Sequence, residues 1–321
     1  MTLNPDSLPD LTGKVYIVTG ATSGIGYSTA SRLAQKNAHV YICARTTEKG
    51  NATISTIIST HPHAQLSVLV MDHLRLSSVV TATQHFLSKE TRLDGLVNNA
   101  GIMATPFAMT EDGYEAQWQT NYLAHWVFTS HLLPLLRATA TRAKAEGSPA
   151  GSVRIVNLSS FGHFSAPTGG IHFADTSLRD GKNMQRYGQS KLANVLHMKS
   201  LQERFGPNSP SVAAGDEEIW VSAVHPGLVK SNLGDRAELP GLMWALIMPF
   251  QWIGGMVDQD KGSWTSLFCV ASPEMKREDS GKYFQRIADP NGWQSGMAKD
   301  EKLAEKLEDW TRKEMAKGGW I

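Results

Sequence analysis

The chain has 321 residues, with 31 Lys+Arg against 30 Asp+Glu and a net charge of +1, so no bulk electrostatic attraction draws it to nucleic acid or an anionic membrane. That length suffices for one large α/β domain or two smaller ones with a sizeable core. Cys43 and Cys269 are the two cysteines; they lack metal-ligand spacing and are too few for a disulfide framework, which predicts a reducing compartment and, by default, a cytoplasmic protein.

Met1 to Leu11 is polar and proline-interrupted, without the basic start and apolar run of a secretory leader. Val15 to Val18 is a β-branched run that flows into Thr19-Gly20-Ala21-Thr22-Ser23-Gly24-Ile25-Gly26 and then into a helical pattern through Ala30, Leu33 and Ala34. Strand, glycine turn and helix in that order let the backbone of Gly20, Thr22, Ser23, Gly24, Ile25 and Gly26 approach a pyrophosphate, with helix N-terminal amides as donors. The spacing is G-x-x-x-G-x-G, which differs from the G-x-G-x-x-G fingerprint. Val40 to Ala44 reads as the second strand. It ends in Ala44-Arg45 where an acidic residue would bind the adenosine 2′-hydroxyl of NAD. With no carboxylate to repel it, a 2′-phosphate can sit beside Arg45, helped by Thr46, Thr47 or Lys49, so the expected cofactor is NADP(H).

Leu66 to Met71 predicts a strand, Leu76 to Leu87 a helix, and Leu93 to Val97 a further strand. Asp72 closes the third strand, either to meet an adenine amino group or to cap the next helix; both readings stand. Asn98-Asn99-Ala100-Gly101 ends the fourth strand, where small residues let a ribose lie against the backbone, and Met103 just beyond is a substrate-pocket candidate. Gly113 to Leu136 reads as a long helix whose aromatics are core, with Asn121 the polar exception that needs partners. Ala138 to Ser152 is predicted to be a surface loop, and Val153 to Leu158 the next strand. Ser159 and Ser160 end it, and a hydroxyl there can hydrogen-bond a substrate carbonyl. Phe161 to Arg186 is a long connection suited to shaping a pocket. Its His163 and His172, like His61 and His63, lack the carboxylate or thiolate neighbours of a metal set, so no metal is expected.

Tyr187 and Lys191, four apart on one helical face, bring an ammonium to a phenol that ionises alone near pH ~10. A neighbouring cation favours phenolate, so the pair predicts a general acid/base. Ile219 to Val224 is another strand. His225 to Ser231 then turns through Pro226 and Gly227, with Val229 and Ser231 at the expected nicotinamide edge. Within 239–258 the apolar run Leu242 to Val257, carrying Trp244, Met248 and Trp252, is too short and too interrupted by Pro249, Gly254 and Gly255 to span a membrane. A substrate lid is favoured there over an oligomer surface or an interfacial helix. Lys261 to Val270 and Lys302 to Lys317 read as helices.

Thr19-Gly20-x-x-x-Gly24-x-Gly26, Asn98 to Gly101, Asn121, Ser160, Tyr187-x-x-x-Lys191 and Pro226-Gly227 together resemble the short-chain dehydrogenase/reductase family, over nearly all of residues 10 to 290. Val156 to Ser160, Ser190 to Asn194 and His225 to Gly227 are most similar to its retinol dehydrogenase-like branch. The resemblance implies an α/β fold: a single Rossmann-like doubly wound domain over 1–321, with a largely parallel seven-stranded sheet in the order 3-2-1-4-5-6-7 flanked by helices. It implies that Tyr187 exchanges the proton, that Lys191 lowers its pKa and binds ribose, that Ser160 orients the carbonyl, and that Asn121 holds a relay water behind Lys191. Homodimers or homotetramers are common among related folds. Retinoid-active relatives often carry a membrane-anchoring segment, and neither end of this chain reads as one. The expected substrate is therefore a bulky apolar aldehyde, ketone or alcohol, of lipid, steroid, terpenoid or polyketide type, lined by Phe161 and Phe164 and belonging to specialised metabolism. Two alternatives use the same scaffold: a non-redox isomerase or cyclase, and a non-catalytic NADP-binding regulator.

Overall fold

The computed structural model describes residues 3–230, 233 and 256–321. Seven strands form one sheet: β1 Val15–Val18, β2 His39–Ala44, β3 Gln65–Val70, β4 Gly95–Asn98, β5 Arg154–Leu158, β6 Trp220–Val224 and β7 Tyr283–Phe284. Their order is β3-β2-β1-β4-β5-β6-β7 and every pairing is parallel, as the resemblance implied. Parallel neighbours need crossovers, and these are supplied chiefly by the helices α1 Gly24–Gln35, α2 Thr47–Thr60, α3 Leu76–Lys89, α4 Ala124–Ala145, α5 Asn183–Phe205 and α6 Gln259–Ala271. A last helix, α7, spans Glu301–Lys317.

Side-chain alternation divides the apolar residues between two cores. Val15 and Ile17 of β1 join the face covered by α3, α4 and α5, while Tyr16 and Val18 join the face covered by α1 and α6. Burial of both faces explains why the central strands read as unbroken apolar runs. One buried charge ties the strands together. Asp94, fully buried at the start of β4, accepts from the Val15 amide at 2.9 Å and from Arg92 Nε at 2.8 Å, with Lys14 Nζ at 3.3 Å.

The stretch from Ala138 departs from expectation. It is not a loop, because α4 runs on to Ala145 and ends only before Gly147. Alanine carries the best helix propensity, and Thr139, Ala140 and Ala143 are buried, with Thr139 Oγ1 accepting from the Leu93 amide at 2.9 Å; both outweigh the local polarity that suggested a loop. The predicted helix over 113–136 is also interrupted, since Gln119–Leu123 forms a π-helical turn between a short helical turn, Ala116–Trp118, and α4.

Helix α7 buttresses the helices that carry the site. It buries Ala304, Leu307, Thr311 and Met315, and Glu308 accepts from Trp126 Nε1 of α4 at 2.8 Å and from Arg204 of α5 at 2.8 Å. The proposed lid over 239–258 lies outside the described residues except for its last three. There Val257 bridges Val229, and Asp258 caps α6 by accepting from the Lys261 amide at 2.8 Å. Among the described residues no helix is long and apolar enough to cross a membrane, and no three His, Cys, Asp or Glu side chains cluster as metal ligands.

Candidate active site

The sequence turns sharply between β1 and α1 because Gly20 and Gly24 adopt positive φ, +62° and +59°, a region closed to most side chains. Gly26 is required for a different reason: a Cβ there would stand 2.4 Å from both Asn99 Nδ2 and the Gly20 carbonyl oxygen. Ser23 stands at the N-cap of α1 without a side-chain cap bond, which leaves first-turn amides available to a bound anion. Thr19 joins this turn to the end of β4. Its Oγ1 accepts from the amides of Asn99 at 2.8 Å and Ala100 at 2.9 Å.

That hydroxyl reaches further. With both lone pairs engaged, its proton is left for His125 Nε2 at 2.9 Å. The remaining imidazole proton then sits on Nδ1, 3.0 Å from the Asn121 carbonyl. Burial holds His125 well below the usual histidine pKa, and neighbouring His73 and Lys191 push the same way. Asn121 lies at the centre of the π turn, a distortion frequent at functional sites. Its side-chain oxygen accepts from the Ile102 amide at 2.8 Å, and its Nδ2 donates to the Ile102 carbonyl and to Ser190 Oγ.

Tyr187 and Lys191 share the inward face of α5, both nearly fully buried. Lys191 Nζ stands 5.9 Å from the Tyr187 ring centroid and donates to the Leu158 carbonyl at 2.9 Å. Burial pushes Lys191 down to about 8 and Tyr187 up to about 12, with Ser160 pulling Tyr187 the other way. The lowered phenol expected from the Lys191 charge is therefore not what the polypeptide provides. Desolvation of the phenolate dominates, and the phenol stays protonated at neutral pH.

The two serines separate cleanly. Ser159 Oγ is buried and donates to the Lys191 carbonyl at 2.7 Å, so it anchors α5. Ser160 opens the 3-10 turn Phe161–Ser165, and its Oγ accepts from the Gly162 amide at 3.0 Å. Gly162 lies between the polar groups: a Cβ there would meet Tyr187 Cε1 at 2.6 Å and Ser160 Oγ at 3.3 Å.

Arg45 is exposed at the end of β2. Asp72 Oδ1 accepts from the Leu74 amide at 3.1 Å, a local turn cap. Gly227 has φ +89°, and Val229 and Ile25 crowd the same point on α6, 2.7 and 3.4 Å from a Cβ built on Gly262; this brings the turn after Pro226 to the start of α1. Phe161 and Phe164 stack at 4.7 Å and remain 49% and 41% exposed, with Phe161 6.4 Å from His225. Met103 is half-buried. Ser231, Trp244, Met248 and Trp252 lie outside the described residues. The sequence reading missed His125 and Gly162. The first sits one helical turn beyond Asn121, and the second is a glycine two places after the strand-end serine.

A family model described as short chain dehydrogenase matches residues 14–239. Among relatives, short-chain dehydrogenase/reductase drtF of Aspergillus calidoustus is 46% identical over 316 residues, covering 98% of this chain and 97% of that protein. Human retinol dehydrogenase 12 is 36% identical over 300 residues, covering 92% and 84%. An uncharacterized protein from Mycobacterium paratuberculosis superposes with a TM-score of 0.71 at 28% identity, covering 98% of this chain and 97% of that one. Pseudomonas aeruginosa RhlG, in an active-site complex with NADP, shares the fold at a TM-score of 0.62 and 24% identity, covering 86% and 95%. Sheet order, glycine turn and near full-length similarity agree, and the chain belongs to the short-chain dehydrogenase/reductase family of oxidoreductases, in its retinol dehydrogenase-like branch.

Proposed function

We propose that the chain is an NADP(H)-dependent oxidoreductase acting on a bulky apolar aldehyde or ketone, or on the corresponding alcohol, as one domain over residues 1–321. The observation that carries this reading is the convergence on Gly101, where an added Cβ would stand 3.1 Å from Asn121 Oδ1 and 3.3 Å from Lys191 Nζ. A bare Cα at the end of β4 beside a buried ammonium is a cradle suited to a ribose, and the free amides of α1 suit a pyrophosphate. When bound, a nicotinamide dinucleotide supplies hydride to the carbonyl carbon or accepts it in the reverse direction.

The side chains do the rest. Tyr187, protonated at neutral pH, donates its proton to the carbonyl oxygen in reduction; in oxidation it first releases that proton to water and then, as the phenolate, takes one from the alcohol. Lys191 hydrogen-bonds ribose hydroxyls and offsets phenolate charge. Ser160 orients the carbonyl, and Asn121 holds a water from which the proton is replaced. Arg45 faces the 2′-phosphate, with no carboxylate at the strand end to oppose it. Asp72, already committed to its own turn through Oδ1, offers its other oxygen to the adenine. The exposed pair Phe161 and Phe164 offers apolar surface to such a substrate, Met103 is a further pocket candidate, and the 239–258 segment, which lies mostly outside the described residues, is proposed as the lid. Both cysteines are unpaired and buried, which suits the cytoplasm, and the substrate class suits specialised metabolism.

A panel of apolar aldehydes and ketones with NADPH, products identified by mass spectrometry, tests the reading. Tyr187→Phe is expected to keep the fold by circular dichroism and lose turnover. Near-native turnover in that variant, or product formed without NADPH consumption, overturns it; the second outcome would favour the non-redox isomerase.

A further inference from the structure

His163 is fully buried and lies outside the set of groups assigned above to substrate or cofactor. Its Nε2 stands 3.1 Å from the Ser295 amide nitrogen, and its Nδ1 stands 2.7 Å from the Ser160 carbonyl oxygen. A backbone amide can only donate and a carbonyl can only accept. Nε2 must therefore carry a lone pair and Nδ1 the proton, so both neighbours select the same neutral tautomer. The Ser160 carbonyl also accepts from the His163 amide at 3.0 Å. The backbone of Ser160 is thus held twice by one residue, while its Oγ is left toward Tyr187.

The far side of the ring is equally fixed. His163 meets Tyr283 of β7 edge-on at 5.3 Å between centroids and Phe164 at 4.4 Å. The chain after β7 wraps this spot: the Gly292 amide donates to the Tyr283 carbonyl at 3.1 Å, and Ser295 Oγ accepts from the Ala298 amide at 3.2 Å just ahead of α7. Burial lowers the His163 pKa, which favours the neutral ring that both partners require.

We infer that His163 is a positioning residue: as the Nδ1-protonated tautomer it ties Ser160 to the segment between β7 and α7 and so sets where the serine hydroxyl stands against Tyr187. The inference rests on the oxidoreductase reading above, and its test separates the two. Histidine-labelled protein studied by nitrogen-15 NMR should show a pyrrole-type Nδ1 and a pyridine-type Nε2 for His163; the opposite tautomer overturns the inference without reference to turnover. His163→Phe keeps a ring and removes both bonds. It should lower kcat by about tenfold or more while leaving NADPH affinity unchanged. His163→Asn, whose amide can replace the Nδ1 donor, should recover part of that loss and serves as the second variant should the first fail to fold. In a Ser160→Ala background His163→Phe should cost nothing further, because the ring acts through the serine. Additive losses, or unchanged kcat in His163→Phe with an active wild type, overturn this inference alone. A wild type that oxidises no NADPH with any carbonyl overturns the oxidoreductase reading and this inference with it.

Discussion

Gly162→Ala is the sharpest probe of the site, because it adds one methyl group to a residue that performs no chemistry. The added Cβ would lie 2.6 Å from Tyr187 Cε1 and 2.9 Å from Cδ1. Carbon atoms pack at roughly 3.5 Å or more, so the ring must retreat by about 1 Å. Gly162 lacks a positive φ, so the backbone accepts alanine and the whole effect is steric. Overpacking of this kind costs about 1–3 kcal/mol of stability, whereas a displacement of ~1 Å in a reacting group costs about 100-fold in rate. Steady-state kcat at saturating NADPH, with NADPH affinity from fluorescence titration, should show a large loss in the first and little change in the second. In a Tyr187→Phe background the same substitution should cost no additional rate, since the displaced hydroxyl is already gone. Gly296→Ala, where nothing lies within 4 Å of the added carbon, should behave as wild type. A Gly162→Ala enzyme with wild-type kcat would refute the arrangement of Ser160, Gly162 and Tyr187 as the reacting corner.

Arg45→Asp should reverse the cofactor preference by roughly 10- to 100-fold in kcat/KM, the scale of one charge-assisted phosphate contact; equal or better turnover of wild type with NADH than with NADPH would contradict the assignment. Lys191→Met should abolish turnover yet raise the melting temperature at pH 7. The folded pKa, about 8, lies below the ordinary 10.5, so the buried charge costs roughly 3 kcal/mol below pH 8 and the cost fades as pH rises toward 10.5. The stability advantage of the variant should shrink over that same window, and an advantage independent of pH would show that the lysine is not strained by burial. Asp94→Ala should lower stability by about 3–5 kcal/mol in chemical denaturation, because Arg92 and the Val15 amide lose a fully buried partner; a loss under about 1 kcal/mol would mean the pair is exchanged for water.

The order of motifs by itself determines much of this protein. Apolar runs and helical periodicity mark most strands and helices and put Gly20 and Ser160 at strand ends and Tyr187 and Lys191 on one helix face, while the sheet order follows from the resemblance of the motifs to a known family. The helix through Ala145 is not legible, because the burial of Thr139, Ala140 and Ala143 is decided by distant chain while the polarity of the stretch is local. The resemblance singles out Ser160 over Ser159, but the physical reason is tertiary: Ser159 Oγ meets the Lys191 carbonyl across 32 positions of chain. The direction in which burial moves the Tyr187 pKa is not legible for the same reason: sequence spacing reveals the neighbouring ammonium, whereas desolvation is set by everything packed around the ring. His125 and His163 carry no signal of their own in the sequence. Their roles come from partners 106 and 132 positions away in the chain, and only folding decides which donor meets which lone pair.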